Sequence, residues 1–158
     1  MAVQRFTIRQ KIFSLGDGYK IKNQFSQTVF YARSRRYTIL GRIVLEDMTG
    51  RGLYKIREQW SLNNKYKIFL TQNNQKLVTI KRKLTSLRNE FIIESVYGRY
   101  VFKGGLGEKL YSLLKNGLTV ATVNKKFFAL SCEIEIINAE DQAFILAMII
   151  VLNRSMFY

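Results

Sequence analysis

The chain has 158 residues, of which 47% are apolar, and its 26 Lys and Arg against 11 Asp and Glu give a formal net charge of +15. This length and apolar content are sufficient for one domain with its own hydrophobic core. The chain has no histidine and one cysteine, which excludes imidazole general bases, Ser-His and Cys-His nucleophile pairs and thiolate zinc sites.

No composition boundary divides the chain. Proline is absent and no Ser-rich or low-complexity stretch marks a linker, so residues 1–158 are predicted to form a single domain. The opening MAVQRFTIRQKIF carries charges at close intervals and lacks the apolar segment of a secretory signal. Cys132 has no second cysteine to pair with, and a reduced structural thiol is typical of a cytoplasmic protein.

A phrase of about eight residues recurs five times along the chain, which predicts a repeat architecture. Its second residue is Leu or Ile, and the intervals between successive copies are 24, 23, 25 and 43 residues. The last interval is nearly two periods, so a sixth, eroded copy is predicted between Tyr100 and Leu114. Each clear copy carries apolar residues four and six places after its second residue: Tyr19/Ile21, Ile43/Leu45, Tyr66/Ile68, Phe91/Ile93 and Ile134/Ile136.

Each repeat contains two runs of alternating polarity that are rich in Ile, Val, Phe, Tyr and Thr, which indicates two strands in every unit. The turns between runs include Asn73-Asn74, Tyr97-Gly98 and Asn116-Gly117. Six units therefore predict about twelve strands. Their approximate ranges are 5–13, 18–24, 27–35, 37–46, 52–60, 64–72, 75–83, 89–96, 99–105, 108–115, 118–128 and 132–137.

The C-terminal segment differs from the repeats. Ten consecutive apolar residues run from Ala143 to Leu152, after Glu140 and Asp141, which are suited to the start of a helix. A helix with no polar face is buried on every side, and this segment is shorter than the roughly twenty residues that span a bilayer. A core helix over about 140–154 is predicted, with a C-terminal membrane anchor as the alternative.

Strands and helix together predict a mainly β fold. A closed barrel of about eight strands fills its own interior, whereas about twelve strands leave a lumen that can hold a helix. Closure also removes the exposed sheet edges. The predicted fold is therefore a closed antiparallel barrel of about twelve strands over residues 5–137, around a buried C-terminal helix.

Three segments resemble the LURP-one-related family: IRQKIFSLGDGYKI, NGLTVATVNKKFF and the ending AEDQAFILAMIIVL. That family belongs to the tubby C-terminal-like superfamily, together with the phospholipid scramblases. The resemblance covers nearly the whole chain and implies a twelve-stranded barrel around a hydrophobic C-terminal helix, in a protein without established enzymatic activity. Tubby domains recognise phosphoinositide headgroups and scramblases act at membranes. No local motif here matches the tubby lipid pocket, so the resemblance assigns no binding residue.

The positive charge indicates an anionic partner, such as lipid headgroups, RNA or DNA. Because the predicted lumen is apolar, nearly all basic side chains are expected on the outside or in loops. Arg35, Lys83 and Lys126 occupy equivalent repeat positions and are expected at similar heights, as a belt, whereas a binding site needs charge gathered on one side. The densest basic runs provide the candidate binding residues Arg33, Arg35, Arg36, Lys81, Arg82, Lys83, Lys125 and Lys126.

The sequence thus predicts a non-enzymatic cytoplasmic binding module without metal or cofactor. The first hypothesis for its partner is the phospholipid headgroups of a membrane surface, which would make the protein peripheral to the membrane. Nucleic-acid binding is an alternative that the same charge and the aromatic residues support. A protein-interaction scaffold, in which the charged strand faces are merely solvated, is a further alternative.

Overall fold

Twelve strands and one helix form the described part of the chain. The computed structural model describes residues 2–10, 18–35, 42–59, 65–83, 90–104, 109–126, 131–137 and 140–157. The strands are β1 Val3–Gln10, β2 Gly18–Asn23, β3 Thr28–Arg35, β4 Arg42–Asp47, β5 Gly52–Gln59, β6 Lys65–Leu70, β7 Lys76–Arg82, β8 Glu90–Ser95, β9 Gly98–Gly104, β10 Leu110–Lys115, β11 Leu118–Lys126 and β12 Ser131–Ile137, followed by helix α1 Gln142–Phe157.

Each strand pairs with its sequence neighbours, and the pairing of β1 with β12 closes the sheet into a barrel. All twelve strand pairs are antiparallel. The predicted closed barrel is therefore confirmed. Strand ends that the structure describes lie within two residues of the predicted ones.

The repeat explains which side of the sheet faces inward. In a strand successive side chains point to opposite faces, so residues four and six places after a fixed point share a face. Both apolar residues of every clear repeat copy are buried, and Tyr111 and Leu113 of β10 occupy the same places in the eroded copy. The first two residues of the repeated phrase, such as Ser14 and Leu15 in the first copy, lie outside the described residues in all five clear copies.

Helix α1 fills the lumen. Every side chain from Phe144 to Leu152 is at most 2% exposed, as expected for a helix with no polar face. Asp141 caps the helix, because its Oδ1 accepts a hydrogen bond from the Phe144 amide at 2.9 Å. The helix begins at Gln142, just after its cap, and continues to Phe157, so it lies two to three residues further along the chain than the predicted range of about 140–154.

One end of the barrel is formed by five hairpin turns, residues 24–27, 48–51, 71–75, 96–97 and 116–117. The start of β1 and the connection from β12 to α1 lie at the same end, which we call the turn rim. The three predicted turn dipeptides all lie on it. Asn74 and Asn116 have positive φ values of 61° and 48°, which hairpin turns require. Within the described ranges, no helix has the length and hydropathy needed to cross a membrane.

Candidate functional site

The predicted basic runs lie far apart. Arg33 and Arg35 are on β3, the Lys81 run is on β7, and Lys125 is on β11. These strands are four positions apart in a closed ring of twelve, so each run is about a third of the circumference from the next. The structure does not bring the three runs together into one patch.

The run on β3 is only partly described. Arg33 is exposed, and its Nε lies 3.1 Å from Oε2 of Glu46 on β4. Arg35 is the cross-strand partner of Arg42. Arg36 lies outside the described residues.

The run on β7 lies beside acidic residues. Lys83 Nζ is 3.7 Å from Oε1 of Glu90 on β8, and Glu94 is further along the same strand. Lys81 is exposed, and Arg82 is half-buried. This side of the barrel therefore carries both signs of charge.

Lys125 departs from the expectation that the charge lies outside. It is 7% exposed, and its Nζ lies 4.8 Å from the centroid of the Tyr111 ring. Its strand alternation places it on the inner face with Ala121 and Val123. Burial lowers the pKa of the Lys125 ammonium, although the neighbouring Cys132 acts in the opposite direction. The aromatic ring provides a cation–π partner in place of water.

Cys132 is a buried free thiol, as predicted. It lies directly across from Lys125 on β12, and its Sγ donates a hydrogen bond to Asn153 Oδ1 at 3.2 Å. Burial raises the pKa of the Cys132 thiol to about 11 in spite of the ammonium beside it. The thiol is thus protonated near neutral pH and serves the packing between β12 and α1.

The three equivalent basic residues of the repeat do share one end of the barrel. Arg35 and Lys126 end β3 and β11, and Lys83 follows the end of β7. These strands run in the same direction, because each is separated from the next by an odd number of antiparallel neighbours. Their backbones lie at the end opposite the turn rim, which agrees with the predicted belt.

A gathered positive surface lies elsewhere, on the outer faces of β3 to β6. We call it the basic wall, and its described side chains are Arg33, Arg42, Lys55, Arg57 and Lys67. Arg42 pairs directly across the strands with Arg57, and Arg57 pairs with Lys67. Like charges directly opposite each other in a sheet are destabilising, so this row stores electrostatic repulsion that an anion would relieve.

Few partners neutralise this row among the described residues. Arg42 and Lys67 form no ion pair there, and Arg57 stacks over the Phe69 ring at 5.1 Å while its Nε is buried without a hydrogen-bond acceptor. Glu58 follows Arg57 but lies on the inner face, where its Oε1 is 3.4 Å from the Tyr66 hydroxyl that donates to it. The wall therefore remains strongly positive.

A groove of about 660 Å³ runs along this wall. Arg33, Arg42 and Lys55 line it with Glu46, and Gly52 lines it near the turn rim. A Cβ at position 52 would approach Thr71 Cγ2 to 3.0 Å and Val44 Cγ1 to 3.3 Å, so glycine keeps this part of the groove open. The volume is in the range of small-molecule sites, about 300–1,000 Å³.

The groove is chemically suited to phosphate. Two guanidinium groups can each form bidentate hydrogen bonds with phosphate oxygens, and a lysine adds a point charge. Thr71 also lines the groove, and its hydroxyl is buried with no partner in the described part of the chain. Those same ranges contain no group of three or more His, Cys, Asp or Glu that could hold a metal ion.

Sequence reasoning did not identify Arg42, Lys55 and Arg57, because they are isolated basic residues rather than runs. Lys67 is likewise outside the densest basic runs. What joins them is the register of four strands, and register is not visible in local sequence. A search for outward-facing basic residues in consecutive predicted strands would have indicated the wall.

Comparisons with known proteins agree with this fold. The family model described as LURP-one-related matches residues 4–153. The structure is similar to the X-ray structure of a protein from Arabidopsis thaliana, with a TM-score of 0.72 and 17% sequence identity, over 97% of this chain and 91% of that chain. At this identity the similarity shows the fold alone. A comparison with curated proteins finds no match.

Proposed function

The chain belongs to the LURP-one-related family, and from this premise we propose that it is a non-enzymatic barrel whose basic wall binds the anionic surface of a membrane. The observation that carries the proposal is the cross-strand row of Arg42, Arg57 and Lys67, which lies beside a groove lined by basic side chains. The proposed location is the cytoplasm, at the periphery of a membrane.

The energetics favour reversible peripheral binding. Each Lys or Arg near an anionic leaflet contributes about 1 kcal/mol, and the basic wall supplies five such side chains on neighbouring strands. This attraction acts within a Debye length of about 8 Å at physiological salt. The wall can therefore hold the protein at a membrane without a lipid anchor, and added salt should release it.

The aromatic side chains of the wall favour lipid over single-stranded nucleic acid. Arg33 lies over the Tyr31 ring at 5.3 Å, and Arg57 lies over the Phe69 ring at 5.1 Å. Single-strand binding requires open aromatic faces on which bases stack. Because guanidinium groups already cover these two rings, the wall offers charge and hydrogen-bond donors rather than stacking platforms.

Two charge-matched triple variants test the proposal. Arg42→Gln, Arg57→Gln and Lys67→Gln remove three charges from the wall, and each triple lowers the formal charge of +15 by three. The control is Lys81→Gln, Lys83→Gln and Lys103→Gln on the β7–β9 side, where Glu90 faces Lys103 across the strands and pairs with Lys83.

Vesicle co-sedimentation with anionic and neutral lipids distinguishes the two triples. At about 1 kcal/mol for each charge, the wall triple should lose roughly a hundredfold in affinity for anionic vesicles. The control triple should lose much less, because its charges lie among carboxylates. Equal losses in the two variants would show that net charge, rather than the wall, determines binding, and would contradict the proposal.

A further inference from the structure

The turn rim carries most of the exposed large apolar side chains in the described part of the chain. The described residues include seven exposed large apolar side chains, and six of these seven lie at the turn rim. Phe25 and Leu118 are 72% and 75% exposed. The remaining members at the rim are Val3, Met48, Val96 and Tyr97, whereas Leu110 lies at the opposite end.

Internal hydrogen bonds fix the backbone beneath these side chains. Asn23 Oδ1 accepts bonds from the amides of Phe25 and Gln27, both at 3.0 Å. Asp47 Oδ1 likewise accepts bonds from the Thr49 and Arg51 amides, at 2.9 and 3.1 Å. The tips that present Phe25 and Met48 are therefore held in place, and their apolar side chains project from them into solvent.

The same end of the barrel is poor in charge. Within the five turns, all of which the structure describes, Arg51 is the single charged residue. The carboxylates at the edge of the rim each have a partner. Asp47 accepts a hydrogen bond from the Thr49 amide in its own turn, and Asp141 accepts one from the Phe144 amide at the start of α1. Glu140 Oε1 lies 3.5 Å from Lys115 Nζ. A chain with 23% charged residues thus presents turn tips that are apolar or neutral and carry one positive charge.

We propose that the turn rim is the edge of the molecule that inserts into the headgroup and acyl boundary of an anionic bilayer. This inference rests on the proposed membrane function and specifies the orientation of the barrel. Exposed apolar tips next to positive charge match the chemistry of that boundary, where apolar side chains reach about 5–10 Å deep.

The groove lies at a suitable height for this orientation. Gly50 in the β4–β5 turn and Gly52 line the end of the groove nearest the rim, and Lys55 lines it further along β5. Three residues of strand correspond to about 10 Å. With the tips in the boundary, Lys55 and the guanidinium groups beside it would reach the layer of lipid phosphates.

A fluorescent probe tests the orientation. Phe25→Cys and Leu118→Cys are labelled separately with an environment-sensitive dye, and Leu110→Cys, an exposed leucine at the other end, is the matched control. The native thiol of Cys132 is 2% exposed and should remain unlabelled, which labelling of the unmodified protein verifies. The probe emission is recorded with neutral vesicles and with vesicles containing anionic lipid, while co-sedimentation is measured on the same samples.

The expected result is a blue shift and a several-fold rise in emission at positions 25 and 118 with anionic vesicles, and no change at position 110. If the protein sediments with the vesicles but the dyes at positions 25 and 118 keep the emission they have in water, the inference is overturned and the proposed function still stands. A shift at position 110 alone would also overturn it. Absence of sedimentation at low salt would overturn both.

A second pair of variants separates apolar insertion from charge attraction. Phe25→Ser with Leu118→Ser removes two apolar tips, and Leu110→Ser is the control. Burial of a large apolar side chain corresponds to about tenfold in affinity or more, so the double variant should bind anionic vesicles at least tenfold more weakly. The slope of affinity against salt should stay the same, since no charge is lost. A double variant that binds as tightly as the control would contradict insertion.

Discussion

Arg42 adds positive charge to the basic wall but lowers the stability of the fold. Its neighbours across the strands are Arg57 on β5 and Arg35 on β3, and it forms no ion pair with any residue that the structure describes. A residue selected for stability alone would be neutral or acidic at this position, because like charges directly opposite each other are destabilising.

Replacement of Arg42 by Gln should therefore stabilise the fold. We expect the free energy of unfolding at low salt to rise by about 0.2–1 kcal/mol, and the difference to shrink as salt screens the wild-type repulsion. Denaturant unfolding at two salt concentrations measures both effects. Arg99→Gln is the control, because Arg99 Nε lies 3.6 Å from Glu94 Oε1 and its loss should not stabilise. A destabilised Arg42→Gln protein at low salt would contradict the stored repulsion.

At the residue scale the sequence predicts apolar positions well and charged ones poorly. Tyr19, Tyr66 and Phe91 are buried as their alternation predicted. Lys125 has the same inward phase as Val123, but the general preference of lysine for the surface led to the opposite expectation. The Tyr111 ring that accepts its ammonium comes from another strand, so only the assembled barrel shows why the lysine is inside.

At the element scale the barrel and the helix depend on each other. The twelve strands enclose a lumen that their own side chains do not fill, and α1 is an apolar helix that has no stable place in water. The rings of Tyr54 and Tyr100 pack against the Phe144 ring at the start of the helix, with centroid-to-centroid distances of 5.8 and 6.2 Å. Helix and barrel should consequently fold as one cooperative unit.

A charge in the middle of α1 should abolish folding. Ile145 and Ile149 are 0% and 1% exposed, so aspartate at either position would bury a carboxylate without a partner, at a cost of several kcal/mol. Gln72→Asp in an exposed turn is the control for the added charge. Circular dichroism and thermal melting of the purified variants measure the effect. Cooperative melting of Ile145→Asp near the wild-type temperature would contradict the role of the helix.

The number and order of the elements could be predicted from the sequence, but which side chains lie next to each other across neighbouring strands could not. Alternation and turn dipeptides such as Asn116-Gly117 are local signals, and they located twelve strands and one helix. Whether two basic residues meet depends instead on register and on the position of each strand around the ring. For this reason the run at Lys81 could not be separated in advance from the wall at Arg57, two strands away.

At the scale of the whole molecule the charge is distributed unevenly. The walls outside β3 to β6 carry ion pairs, including Arg5–Glu135, Lys83–Glu90 and Arg99–Glu94. The basic wall has one such pair, Arg33–Glu46, among its described residues. The net charge of +15 favours approach to an anionic surface, and the like-charged cross-strand row of the basic wall is the part of the described surface best suited to face it.

The basic wall and the turn rim together define a single orientation toward a bilayer. The groove extends from Arg42 on the basic wall to Gly50 and Gly52 at the rim, so it connects the positive charge of the wall to the apolar tips. Two signals of moderate strength give tighter membrane association than either alone. The expected behaviour is binding that requires anionic lipid and that salt weakens.

Co-sedimentation with vesicles at physiological salt, in the presence of competing RNA, tests membrane binding most directly. The unmodified protein should sediment with anionic vesicles, remain in the supernatant with neutral ones, and stay on the anionic vesicles when RNA is added. Transfer of the protein to the RNA fraction would establish nucleic acid as the preferred polyanion, and failure to bind either would contradict an anionic partner altogether.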